Sequence, residues 1–128
     1  MDYRPLIAIV DDDEDIRDAL SDLLFVLGFS CRAFESAEAF LIADETSHFD
    51  CLITDIRMPG MDGLELMQVI KASGSIMPVI VVTSVVDQVT ATRALTGGAH
   101  RFLTKPVSEQ VLVESLRSAL LQPPSRGE

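Results

Sequence analysis

The stretch Phe49-Asp50-Cys51-Leu52-Ile53-Thr54-Asp55-Ile56-Arg57-Met58-Pro59-Gly60-Met61-Asp62-Gly63 decides the fold. Its first part is a short apolar run, the pattern of a buried strand, and the run ends in the carboxylate of Asp55. The Pro/Gly loop that follows puts Asp55 at the exposed carboxyl end of that strand. In open α/β sheets, ligands bind at that edge. A second apolar run, Leu6-Ile7-Ala8-Ile9-Val10, ends the same way in Asp11-Asp12-Asp13. Two strands delivering acids to one edge make a cation site. A cation site beside a lone carboxylate points to phosphoryl chemistry.

Strand-like and helix-like runs alternate along the rest of the chain. Leu6 to Val10 is apolar throughout, as a strand buried on both faces should be. A helix follows, with Ile16, Leu20, Leu23, Leu24 and Leu27 on one stripe and Gly28 as its stop. Ser30 to Phe34 is a short second strand, and Ser36 is placed to cap a helix carrying Ala37, Phe40 and Leu41. Phe49 to Thr54 is the third strand, and Leu64, Met67 and Ile70 mark a helix ending near Gly74. Pro78 opens the β-branched fourth strand, Val79 to Thr83. Val86 to Thr96 is weakly helical and is stopped by Gly97-Gly98. His100 to Thr104 is the fifth strand, and a last helix starts near Ser108 with Leu112, Leu116 and Leu120 at four-residue spacing.

Five βα units predict a parallel sheet covered by helices on both faces. The expected fold is a flavodoxin-like (βα)5 three-layer sandwich with strand order 2-1-3-4-5. That order makes the first and third strands neighbours at the switch point, so Asp11, Asp12 and Asp55 converge. The domain is expected to span residues 1–121. Residues 122–128, Gln-Pro-Pro-Ser-Arg-Gly-Glu, read by composition as a tail or the start of a linker to an output domain.

The totals bound the function. The chain has 128 residues, 48% of them hydrophobic, which is enough for one well-filled core. A formal net charge of −10 argues against this segment gripping a nucleic-acid backbone or an anionic membrane surface. No apolar stretch approaches the roughly 20 residues of a membrane span, and the opening Met-Asp-Tyr-Arg-Pro has no signal-peptide organisation, so a cytoplasmic location is expected. Cys31 and Cys51 form no metal-binding spacing. In the expected strand order they sit about 9–10 Å apart across the first strand, too far for a disulfide.

Three carboxylates in one place must be partly protonated or share a cation. Hard oxygen ligands suit Mg²⁺ or Mn²⁺ far better than zinc, which draws on His or Cys. Asp55 is then the nucleophile that would form an acyl phosphate. Thr83 ends the fourth strand, where its hydroxyl can donate to phosphate, although Ser84-Val85-Val86-Asp87 also resembles a helix-capping box. Lys105, at the end of the fifth strand and before Pro106, is the counter-charge for phosphate or for unmodified Asp55.

Asp11-Asp12, Asp55 with Met58-Pro59-Gly60-Met61-Asp62-Gly63, Thr83 and Lys105-Pro106 together resemble the receiver domain of bacterial two-component response regulators. The resemblance covers residues 6 to 121. It looks closest to the FixJ-like branch through Asp55-Ile56-Arg57-Met58-Pro59 and Phe102-Leu103-Thr104-Lys105-Pro106. The resemblance implies that Asp55 accepts phosphate from a sensor histidine kinase. It further implies that Asp12 and Asp55 bind Mg²⁺ directly, Asp11 through water, with the Arg57 backbone carbonyl as a further ligand. Thr83 and Lys105 would hold the phosphate oxygens, Phe102 would be the aromatic switch, and the Lys105-Pro106 bond would be cis. The output face would be that of the fourth helix, fifth strand and fifth helix, driving phosphorylation-dependent homodimerisation or partner docking and, through an output domain, transcription. The chain departs from the FixJ-like pattern after Thr83, where Ser84-Val85-Val86 replaces a Gly-rich stretch.

Three rivals share parts of this pattern. A stand-alone chemotaxis-like receiver lacks an output domain. A haloacid dehalogenase-type phosphatase needs an acid two residues after its nucleophile, where this chain has Arg57. A flavodoxin-type FMN carrier needs a Ser/Thr/Gly phosphate loop where this chain has three repelling aspartates.

Overall fold

The computed structural model describes residues 4–44, 48–84 and 87–121. Within them the elements run β1 Leu6–Val10, α1 Glu14–Val26, β2 Ser30–Phe34, α2 Ala37–Asp44, β3 Cys51–Thr54, α3 Gly63–Ala72, β4 Val79–Thr83, α4 Gln88–Thr96, β5 Arg101–Thr104 and α5 Glu109–Leu121. The strands are parallel and lie in the order β2-β1-β3-β4-β5, as the βα alternation requires.

Strand alternation divides the interior into two layers. Ala8, Val10, Leu52, Val79 and Val81 face one side, where they meet Ala37 and Phe40 of α2, Leu64, Met67 and Ile70 of α3 and Ala94 of α4. Ile7, Ile9, Ile53, Ile80 and Val82 face the other, against Leu20 and Leu24 of α1 and Leu112 and Leu116 of α5. Each fully buried aliphatic side chain contributes about 1.5–3 kcal/mol, and β1, β3 and β4 are buried almost end to end. The strands that lead into Asp11 and Asp55 are therefore held by packing on both faces.

The differences from the sequence reading lie at element ends. The third strand begins at Cys51, because Phe49 leaves the ladder to join the Phe34–Phe40 aromatic cluster at centroid distances of 5.9 and 5.4 Å. The fifth begins at Arg101 and not His100, although the His100 N–H still donates to the Val79 carbonyl at 2.7 Å. The Ser84-to-Asp87 capping box is corrected: Asp87 itself caps α4, accepting the Thr90 N–H at 2.7 Å, since its short carboxylate reaches that amide directly. Val85 and Val86, and the tail 122–128, lie outside the described residues. Ser36 does cap α2, through the Ala39 N–H at 3.1 Å. Cys31 and Cys51 flank the same residue, Ile7, one on each side, and both are free thiols. Burial pushes the Cys51 thiol up to about 12, leaving it inert. No described helix is long and apolar enough to cross a membrane.

Candidate phosphoacceptor site

Register brings the acids together. Val10 pairs with Thr54, so the residues that follow them, Asp11 and Asp55, leave the sheet at the same level. The ladder continues one step further: the Asp55 N–H donates to the Val10 carbonyl at 3.0 Å and the Asp11 N–H to the Phe34 carbonyl at 3.1 Å. Asp11, Asp12 and Asp55 each offer a carboxylate oxygen, and these oxygens lie within 4.8 Å of one another. Asp11 and Asp55 are buried, whereas Asp12 is exposed.

The acidic run divides its labour. Asp13 is the N-cap of α1, accepting the Asp15 N–H at 2.9 Å and the Ile16 N–H at 3.4 Å. Glu14 and Asp15 fill the first turn, where negative charge suits the helix dipole. Only Asp11 and Asp12 turn toward Asp55. The β1–α1 turn is held by an N–H of Asp13 donated to Asp11 Oδ1 at 2.9 Å.

Lys105 completes the group. Its Nζ donates to Asp11 Oδ2 at 2.8 Å and to Asp55 Oδ2 at 3.1 Å, reaching across β4 from the end of β5. The other oxygen of Asp55, Oδ1, accepts the Ile56 N–H at 2.7 Å. Burial pushes the Asp11 carboxyl above its ordinary range, even against the opposing pull of Lys105. Burial would lower the Lys105 ammonium, but hydrogen bonds to Asp11 and Asp55 outweigh it and raise the group. The two directions agree physically: one lysine serves two buried carboxylates, so the lysine is fully compensated and Asp11 is not. The Lys105-Pro106 bond is cis.

The remaining expected residues occupy the same edge or its surroundings. Thr83 is buried at the end of β4, and its carbonyl accepts the Lys105 N–H at 2.9 Å. Arg57 is exposed in the loop after Asp55. Phe102 is half-buried on β5, paired with Val81, and packs on the α2–α3–α4 side of the sheet.

Sequence reasoning missed three contributors. Arg17, one turn into α1, donates from Nη1 to the Asp11 carbonyl at 2.8 Å. Thr54 Oγ1 donates to the Asp55 carbonyl at 2.9 Å. Gly63 lies so close to Asp55 that a Cβ there would collide with the Asp55 carbonyl oxygen and lie 2.9 Å from its carbon. Gly63 was visible as part of a turn, but the close approach of backbone to backbone leaves no local pattern.

Comparison with known proteins agrees with this geometry. The family model described as "Response regulator receiver domain" matches residues 7–117. The chain is 40% identical over 116 residues to the transcriptional regulatory protein FixJ of Bradyrhizobium diazoefficiens, covering 91% of this chain and 57% of that protein. It is 38% identical over 125 residues to the response regulator protein TodT of Pseudomonas putida, covering 98% of this chain and 55% of that protein. The crystal structure of FixJ-N superposes with a TM-score of 0.85 at 35% identity, covering 92% of this chain and 94% of that one. The chain thus spans a little over half the length of these curated relatives.

Proposed function

The chain belongs to the response regulator receiver domain family, and from that premise we propose that it receives a phosphoryl group on Asp55 from the phosphohistidine of a sensor histidine kinase. The observation that carries this reading is the single Lys105 ammonium shared by two buried carboxylates, Asp11 and Asp55, within a three-carboxylate cluster at the sheet edge. A structural ion pair would need one acid; a second and third at this spacing add only repulsion unless a cation joins them.

In the proposed step an Asp55 carboxylate oxygen attacks phosphorus as the phosphorus–nitrogen bond to the donor imidazole breaks. The imidazole leaves with the bond's electron pair and takes up a proton, and Asp55 becomes an acyl phosphate. Both oxygens of Asp55 accept a hydrogen bond, Oδ1 from the Ile56 N–H and Oδ2 from Lys105, which hold the carboxylate in place at the sheet edge. Lys105 then follows the charge from carboxylate to phosphoryl oxygen, and the Thr83 hydroxyl supplies a second donor. Charge-assisted hydrogen bonds of this type contribute about 1.5–3 kcal/mol each.

The donor set is oxygen alone, which fits Mg²⁺, with Mn²⁺ as substitute. Asp12, Asp55 and the Arg57 carbonyl would hold the ion directly and Asp11 through water. When bound, the ion offsets the negative charge of the transferring group. The domain carries out its own phosphorylation and slow dephosphorylation and turns over no other substrate.

Phosphorylation would draw Thr83 toward the phosphate, let Phe102 move inward, and alter the α4–β5–α5 face. That face would control an output domain, with transcription the output favoured by FixJ as a relative. A stand-alone receiver using the same face is the second reading. The phosphatase alternative lacks its acid, since the exposed Arg57 stands two residues after Asp55. The test is incubation with acetyl phosphate, with and without Mg²⁺: one phosphate added per chain only when Mg²⁺ is present supports the proposal, and no addition under either condition refutes it.

A further inference from the structure

The loop from Asp55 to Gly63 is fastened at both ends by its own elements. At the far end Asp62 and Glu65 form a reciprocal capping box, with the Glu65 N–H donated to Asp62 Oδ1 at 2.8 Å and the Asp62 N–H donated to Glu65 Oε1 at 2.9 Å. The ends are drawn together by the Gly63 N–H, which donates to the Ile56 carbonyl at 2.8 Å. The outer turn is held differently. There the Met61 N–H donates to Glu38 Oε2 at 3.0 Å, a residue in the first turn of the neighbouring helix α2. Gly60 has φ +77°, and a Cβ on it would lie 2.8 Å from the same Glu38 oxygen. The turn therefore requires glycine for its backbone conformation, and the Glu38 carboxylate packs directly over it.

We infer that Glu38 is a positioning residue for the phosphoacceptor site, fixing from α2 the outer turn of the loop that presents Asp55 and the Arg57 carbonyl. The inference rests on the function proposed above for those two groups. A backbone carbonyl has no rotamer of its own; its direction is set by the torsions of the loop that carries it. Clamping Met61 limits those torsions four residues downstream of Arg57, at the turn where the loop bends back toward α3. The Met61 N–H also holds the Glu38 carboxyl below the usual carboxylate range, so the acceptor is ionised at neutral pH. Glu38 is exposed, so water can replace it as partner to Met61, and its loss frees the loop without unsettling the core.

The test compares the unmodified protein with Glu38→Ala and with Glu38→Gln, whose amide oxygen keeps an acceptor. Four quantities are read: hydrogen exchange at the Met61 amide, Mg²⁺ affinity from amide chemical-shift titration, the rate of phosphorylation by acetyl phosphate across Mg²⁺ concentrations, and the thermal midpoint. For Glu38→Ala we expect faster Met61 exchange and Mg²⁺ binding weakened by about tenfold, the low end of what outer partners of metal ligands contribute. Phosphorylation should be slow at low Mg²⁺ and recover at saturation, the thermal midpoint should be unchanged, and Glu38→Gln should restore most of the affinity. Unaltered Mg²⁺ affinity in Glu38→Ala overturns the inference. So does a general loss of stability in that variant, which would make Glu38 structural, or a Gln variant as impaired as the Ala one. If the unmodified protein binds no Mg²⁺, the proposed function falls and the inference with it; if it binds Mg²⁺ and is phosphorylated while Glu38→Ala behaves identically, only the inference falls.

Discussion

Lys105 Nζ stands 3.1 Å from Asp55 Oδ2 and 2.8 Å from Asp11 Oδ2, so one cation from the end of β5 is divided between carboxylates from β1 and β3. The pairing spans 94 residues of sequence to Asp11 and 50 to Asp55. It exists because parallel strands deliver their carboxyl ends to one edge. It also leaves the acidic group short of positive charge.

Mg²⁺ should stabilise the fold, and more so at neutral than at acid pH. Asp11 is raised by burial, so its contribution to stability is fully present below the ordinary carboxylate value of 3.8 and is lost as pH rises through the higher folded value. At pH 7 the metal-free protein therefore carries an unfavourable charge that a cation relieves. An ion present at a hundred times its dissociation constant adds about 2.7 kcal/mol. Thermal melts with Mg²⁺ and with EDTA should differ clearly at pH 7 and converge as protons compete for the carboxylates toward pH 4. Asp12→Ala should abolish the Mg²⁺ effect and the Mg²⁺-dependent phosphorylation. It should not weaken the metal-free protein, because Asp12 is exposed and adds only repulsion there. A marked loss of metal-free stability would instead make Asp12 structural.

Gly63→Ala should damage both fold and site. The added methyl would meet the Asp55 carbonyl, which is backbone and cannot swing aside. Overpacking of this kind costs about 1–3 kcal/mol, and relief would have to come from moving Asp55. Denaturant unfolding and acetyl phosphate labelling should both show the change; normal stability with normal labelling would contradict the close approach.

Much of this was legible from the residues, for a physical reason. Strands such as Val79 to Thr83, buried on both faces, must be apolar throughout, so the acids and lysine that interrupt them mark the sheet edge. Strand order then makes Asp11, Asp12 and Asp55 neighbours, and Lys105 shares their edge from the end of the fifth strand. Element ends were less legible, because His100 and Phe49 satisfy strand propensity yet are drawn into other contacts. Arg17 and Glu38 were illegible: each reaches the site from a helix surface, where a charged residue needs no special reason to exist.

The α4–β5–α5 face should answer to phosphorylation by association. Val89 is 69% exposed, Leu95 53% and Val111 42%, while Leu112 beside Val111 is buried. Shifting a two-state equilibrium from 1:99 to 99:1 requires about 5.5 kcal/mol, of which a new charged hydrogen bond from Thr83 to phosphate supplies about 1.5–3 kcal/mol. Sedimentation should show a dimer with a phosphate mimic bound and a monomer without it, and Val111→Glu should prevent the dimer. An unchanged sedimentation profile and unchanged spectra of this face would remove it as the output surface.

The phosphorylated form should be long-lived, lasting many minutes or more. Resemblance to receiver domains implies that the positions two beyond Asp55 and two beyond Thr83, here Arg57 and Val85, flank the path of in-line water; Val85 lies outside the described residues. Neither can act as a general base, and an exposed arginine stem can lie across the approach. Arg57→Asn with Val85→Glu should shorten the lifetime by giving water polar partners. A half-life of seconds in the unmodified protein, or no response to the double change, would place control of hydrolysis elsewhere.

Asp55, among 20 acidic residues, should be the sole phosphoacceptor. Borohydride reduces an aspartyl phosphate to homoserine, so peptide mapping after acetyl phosphate, Mg²⁺ and borohydride identifies the acceptor directly. Homoserine is expected at position 55 alone, with no conversion anywhere in Asp55→Asn. Conversion at Asp11 or Asp12 in the unmodified protein, or undiminished phosphorylation of Asp55→Asn, would contradict it.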